Sequence, residues 1–131
     1  MIQIPTGILV ALLLAGCATI SDSKRQQSFD ETTLLYEKAV RWGDFVAASQ
    51  FQQLEGEPQD RPLPQAGIKI TSYRQLGKRV LPDNNMIAVT VQIDYYHKDT
   101  LKVITLTDNQ LWKYTPDENS WRITTPLPAF R

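Results

Sequence analysis

Residues 86–97, MIAVTVQIDYYH, carry the clearest alternation in the chain. Ile87, Val89, Val91, Ile93 and Tyr95 fall on one side, with Thr90, Gln92 and Asp94 on the other. A two-residue apolar period belongs to a half-buried β-strand. Upstream, residues 81–85 (LPDNN) read as a turn, and residues 68–81 (IKITSYRQLGKRVL) as a preceding strand. Downstream, Lys98-Asp99-Thr100 turns into residues 101–114, LKVITLTDNQLWKY. Residues 116–119 (PDEN) turn again into residues 120–127, SWRITTPL, with Trp121 and Ile123 on one side. Strands joined by short turns predict a four-stranded antiparallel meander. The polar triplet Asp108-Asn109-Gln110 breaks the third strand's pattern and is expected at a bulge or a pocket mouth.

The period is different before the sheet. Ser28-Phe29-Asp30-Glu31 has the S-x-x-E form of a capping box. Leu35, Ala39 and Trp42 then follow at helical spacing. Gly43 is a helix stop and Asp44 a cap for a second helix, residues 45–54, in which Ala47, Phe51 and Leu54 repeat the spacing. These residues predict a helical hairpin turning at Trp42-Gly43-Asp44. The hairpin resembles a single tetratricopeptide unit, but one copy cannot bury its face and no second follows. A connector with Pro58, Pro62 and Pro64 leads to the sheet. Two helices followed by an antiparallel sheet is an α+β order, with the helices on one face.

The 131 residues suit one domain, and 14 basic against 14 acidic side chains leave no field to gather nucleic acid. One histidine and one cysteine cannot assemble a zinc site, and no phosphate-cradling glycine loop or nucleophilic triad is visible. No catalytic residue, metal or cofactor is assigned.

The single cysteine stands at the end of an apolar run. Residues 8–14 are too short to span a bilayer, which takes about 20 residues, but they suit the h-region of an export signal. The run ends in Leu14-Ala15-Gly16-Cys17, which resembles the lipobox of bacterial lipoproteins. The stretch Met1 to Pro5 carries no Lys or Arg, unlike most such signals. The resemblance implies cleavage before Cys17, diacylglycerol on its thiol and a further acyl group such as palmitate on the new amino terminus. Ala18 stands where an Asp would retain an enteric lipoprotein in the inner membrane. The implied address is therefore the outer membrane, periplasmic side. The expected organisation is a signal peptide over 1–16, the lipidated Cys17 with a flexible tether over 17–27, and one α+β domain over 28–131.

The hairpin residues YEKAVRWGDF, the proline-rich break and the long strands ending in a Trp-rich pair resemble the nuclear transport factor 2-like (cystatin-like) group. In that group a curved sheet wraps a helical layer into a cone. The resemblance implies a cavity between the layers, lined here by Trp42 and Phe45 from the helices and by Ile93 and Tyr95 from the sheet. Some members are lyases or isomerases. That role would require Asp94, His97 and Asp108 to converge, although Asp94 and His97 point to opposite faces of a regular strand.

Tyr73, Tyr95, Tyr96, Trp112, Tyr114 and Trp121 concentrate in the predicted strands. Aromatics on both faces predict that both faces are covered, one by the helices and the other by a partner, by a second copy or by cross-strand aromatic pairing alone. Tyr96, Trp112 and Tyr114 are the expected contacts, with Arg122 at the rim. The leading expectation is a non-catalytic interaction or assembly accessory, bound to the membrane through Cys17 and to an unknown envelope protein or a second copy. A binder of a small apolar ligand in the cone is the alternative.

Overall fold

The computed structural model describes residues 6–54, 63–64, 67–82 and 85–131, with side chains from residue 23 onward. It is an α+β structure in which one long helix lies across an open four-stranded antiparallel sheet in the order β1-β2-β3-β4. The helix is α1 (Thr6–Arg41), followed by a short α2 (Phe45–Ser49). The strands are β1 (Ile68–Val80), β2 (Met86–His97), β3 (Ile104–Thr115) and β4 (Ser120–Ile123). Among the described residues no helix is long and apolar enough to cross a membrane.

The meander forms as the alternation predicts. β2 buries Ile87, Val89, Val91, Ile93 and Tyr95 and turns the intervening residues outward. Its register with β3 runs unbroken from Met86↔Lys113 to Tyr95↔Ile104. Asp108-Asn109-Gln110 is therefore not a bulge, and of the three Gln110 lines a crevice beside the sheet. Asn109 faces outward, while Asp108 and Gln110 point into the core beside Val91 and Val89. The bulges are in β1 instead, between Ile70 and Ser72 and between Gln75 and Gly77.

α1 begins well before the capping box. Residues 18–41 contain neither Gly nor Pro, so nothing in the chain stops the helix there. Ser28 sits inside it, its carbonyl accepting from Thr32 Oγ1 at 2.8 Å. Residues 18–27, expected as a loose tether, have helical backbone. Arg25 is already tied to the sheet, since its carbonyl accepts from Trp121 Nε1 at 3.1 Å and its guanidinium lies 4.9 Å from the Tyr114 ring centre.

The buried stripe of α1 is Phe29, Tyr36 and Val40, not Leu35, Ala39 and Trp42. One residue turns a helix by about 100°, so the two stripes have the same period and different directions. Leu35 and Trp42 are exposed, and Ala39 only packs against the edge of the core.

The turn after α1 is built as its residues predict. Gly43 takes φ +70°, and Asp44 caps α2 by accepting from the Ala47 amide at 3.1 Å. The second helix then stops early. The amides of Gln50, Phe51 and Gln52 bond three residues back, which tightens the last turn. The chain next runs along β4, where Gln53 N donates to Ile123 O and Ile123 N to Phe51 O, both at 2.9 Å. These main-chain bonds replace the rest of the expected helix, and no hairpin of two full helices forms.

Candidate functional site

The layer between α1 and the sheet is dominated by aromatic rings. Phe29 meets Trp112 and Trp121 edge-on, with ring centres 6.1 and 5.0 Å apart. Tyr36 meets Trp112 and Phe51 the same way, at 5.3 and 5.9 Å. Tyr73, Tyr95, Trp112, Tyr114 and Trp121 all lie on the helix-facing side of the sheet. Of the sheet aromatics, Tyr96 alone faces outward. Its neighbours there are polar, and they pair across strands: Arg74 with Gln92 at 2.6 Å, Asp94 with Thr105 at 2.6 Å and Thr90 with Asn109 at 3.4 Å.

Inside this aromatic layer lies a polar cluster. Gln110 Nε2 donates to Tyr73 Oη and to Asp108 Oδ2, both at 2.9 Å, and its Oε1 accepts from Trp112 Nε1 at 3.0 Å. The strand period delivers Asp108, Gln110 and Trp112 to one face, and the bulged β1 supplies Tyr73. Tyr36 Oη is buried with no hydrogen-bond partner among the described residues. Burial holds the Asp108 carboxyl above the ordinary carboxylate range, and the Gln110 bond offsets part of that rise. Burial likewise pushes both phenols upward and the nearby Asp108 charge adds to each, while the Gln110 bond offsets part of the rise at Tyr73. Both hydroxyls thus remain protonated at neutral pH.

A crevice of about 180 Å³ opens beside the cluster between α1 and β1–β2, lined by Asp30, Thr33, Glu37, Tyr73, Gln75 and Gln110. A larger pocket of about 510 Å³ lies at the other end of the sheet, where Leu54, Leu63, Leu127 and Phe130 form apolar walls and His97 a polar one.

The residues singled out in the sequence are distributed across these environments. Trp112 is 0% exposed and belongs to the core, because the regular register of β3 turns it towards α1. It cannot contact a partner from there. Tyr114 shares that face and is half-buried under Arg25. Tyr96 is half-buried on the outer face, and Arg122 donates to Gln50 O at 2.7 Å. Ile93 and Tyr95 fill the core, with Tyr95 Oη bonded to the main chain of Arg131. Phe45 packs on Phe130. Trp42 is 83% exposed and lines no cone. Ile93 and Tyr95 thus pack into the core at the place where a cavity is expected.

Asp94, His97 and Asp108 are not brought together. Asp94 is on the outer face and Asp108 on the inner. His97 stands six residues along β2 from Val91, the register partner of Asp108, which is about 20 Å away. Its alternation with Tyr95 places it on the inner side, with ring centres 5.9 Å apart, at the mouth of the larger pocket. The connector over 55–62 and the side chain of Cys17 lie outside the described residues. Among the described residues no group of acidic, His or Cys side chains forms a metal site.

The polar cluster has a measurable consequence. An acid whose folded pKa is raised above its unfolded value binds its proton more tightly in the folded state. Its contribution to stability then falls as pH rises from the ordinary carboxylate value through the raised one. Asp108→Asn keeps the acceptor for Gln110 and cannot ionise. The variant is expected to gain stability over the wild type between pH 4 and pH 7, read as diverging urea midpoints. Midpoints that move in parallel over that range would contradict the assignment.

Comparison of the chain with protein-family models, with curated proteins and with solved structures finds no match.

Proposed function

We propose that this chain is an outer-membrane lipoprotein held on the periplasmic side by acyl chains on Cys17. It acts without catalysis, as an interaction or assembly accessory of another envelope component. The body is read as a nuclear transport factor 2-like domain whose cone has been filled. The observation that carries this reading is the order Leu14-Ala15-Gly16-Cys17 at the close of an apolar run, with the chain's one thiol at its end.

The course of α1 supports it. Arg25, eight positions after Cys17 and a helical rise of about 12 Å from it, is already tied to the sheet. The body therefore stands close above the membrane. The opposite end of α1 carries Trp42 and, across the turn, Val46, both strongly exposed. These two side chains take the contact role that Trp112, in the core, cannot. A second reading, a binder of a small apolar ligand, draws support from the 510 Å³ pocket beside His97, which is within the usual size of ligand sites.

Mass spectrometry of the protein extracted from membranes tests the leading reading. The amino-terminal peptide is expected to begin at Cys17 and to carry diacylglycerol and an acyl group. A peptide that begins at Met1 with an unmodified Cys17 would overturn it.

A further inference from the structure

The two edges of the sheet are finished differently. β4 is only four residues long, and the segment after α2 runs along it, exchanging main-chain bonds with Ile123. β1 is thirteen residues long and, among the described residues, no strand lies on its outer side. Arg41 Nη2 donates to the Tyr73 carbonyl at 2.9 Å. Apart from that, among the described residues no main-chain group of β1 bonds to anything but β2. An open edge of this length is a template for one more strand.

The side chains on that edge specify what it takes. β1 carries Lys69, Arg74, Lys78 and Arg79 and no acidic residue. Lys78 turns inward, to Asp30 at 3.7 Å and Gln26 at 3.0 Å. The other three stand exposed on the outer face. The two bulges set their register partners at Tyr96, Gln92 and Ala88, so the cations recur every fourth residue of a regular neighbouring strand, about 13 Å apart. The nearest outer-face carboxylate, Asp94, is held by Thr105. A second copy of β1 is a poor occupant, because antiparallel self-pairing faces cations with cations. Beside this row, Leu76 (54% exposed) and Val80 (40% exposed) leave apolar surface open.

We infer that β1 is the docking edge for an extended acidic segment of another protein. The segment adds as a fifth strand and presents Asp or Glu at positions i, i+4 and i+8 to Lys69, Arg74 and Arg79. Main-chain bonds supply the adhesion and the acid spacing supplies the register. The inference rests on reading the protein as an interaction module and names that partner's chemistry. It does not depend on the lipid anchor, so the anchor's failure would leave it intact.

The probe is a blocked nine-residue peptide with glutamate at its first, fifth and ninth positions and valine and threonine alternating between. Amide hydrogen exchange of the full chain is measured with and without it. The peptide is expected to slow exchange in β1, and the Lys69→Glu, Arg79→Glu double variant to weaken binding about tenfold. A control peptide with lysine for glutamate, and one N-methylated at alternate residues, should give no protection. Absence of protection by the glutamate peptide overturns the inference, as does equal protection by the N-methylated one, which would leave charge without strand addition.

Discussion

A Trp112→Ala variant is expected to lose about 3–5 kcal/mol of folding stability, the range for deleting a buried large aromatic. Domains of this size have only about 5–15 kcal/mol in total, so the variant should be largely unfolded at modest urea. The neighbours explain the size of the effect. Trp112 is fully buried, meets Phe29 and Tyr36 edge-on, and lies opposite Ile87 and Ile123 in the sheet. Its indole N–H also satisfies Gln110 Oε1, which would be left buried without a partner. Trp42→Ala is the matching control. That ring is 83% exposed and its loss should change stability by less than about 0.5 kcal/mol. Equal urea midpoints for the two variants would contradict the core described above.

The same two tryptophans show what the sequence discloses and what it hides. The period of residues 86–97 reports one buried face directly, because the inward Val91 and Ile93 are flanked by the outward polar Thr90, Gln92 and Asp94. Gly43 and Asp44 are equally legible, since a left-handed backbone and a helix cap each select a residue type. The helix face is harder. Phe29, Tyr36 and Val40 make one apolar stripe and Leu35, Ala39 and Trp42 another, and the period alone does not choose between them. The sheet chooses, by offering Trp112 and Trp121 to the first. Asp108 and Gln110 were legible only in part, for a related reason: the bulge is absent, but Gln110 does line a crevice. A polar pair looks misplaced in a buried strand until its partner is known, and that partner, Tyr73, comes from a different strand. The early end of α2 was also invisible locally, because Ile123 supplies the competing main-chain bonds. The open edge of β1 has no sequence signal beyond its run of cations, since the bulges that align them exist only in the paired sheet.

Cys17→Ser is expected to release the protein from the membrane altogether. Each buried methylene contributes about 0.8 kcal/mol, so a single acyl chain binds marginally and two or more bind with long residence. Serine offers no thiol for the thioether that carries them. The apolar run over 8–14 is too short to span by itself. Among the described residues no helix is long and apolar enough to replace the anchor, and the outer sheet face carries hydrogen-bonded polar side chains.

Detergent-phase partition of the wild-type chain beside Cys17→Ser, expressed in an envelope-bearing bacterium, tests the anchor most directly. The wild type should collect in the detergent phase and the variant in the aqueous phase. Should the two partition alike, acyl chains at Cys17 do not hold this protein to a membrane.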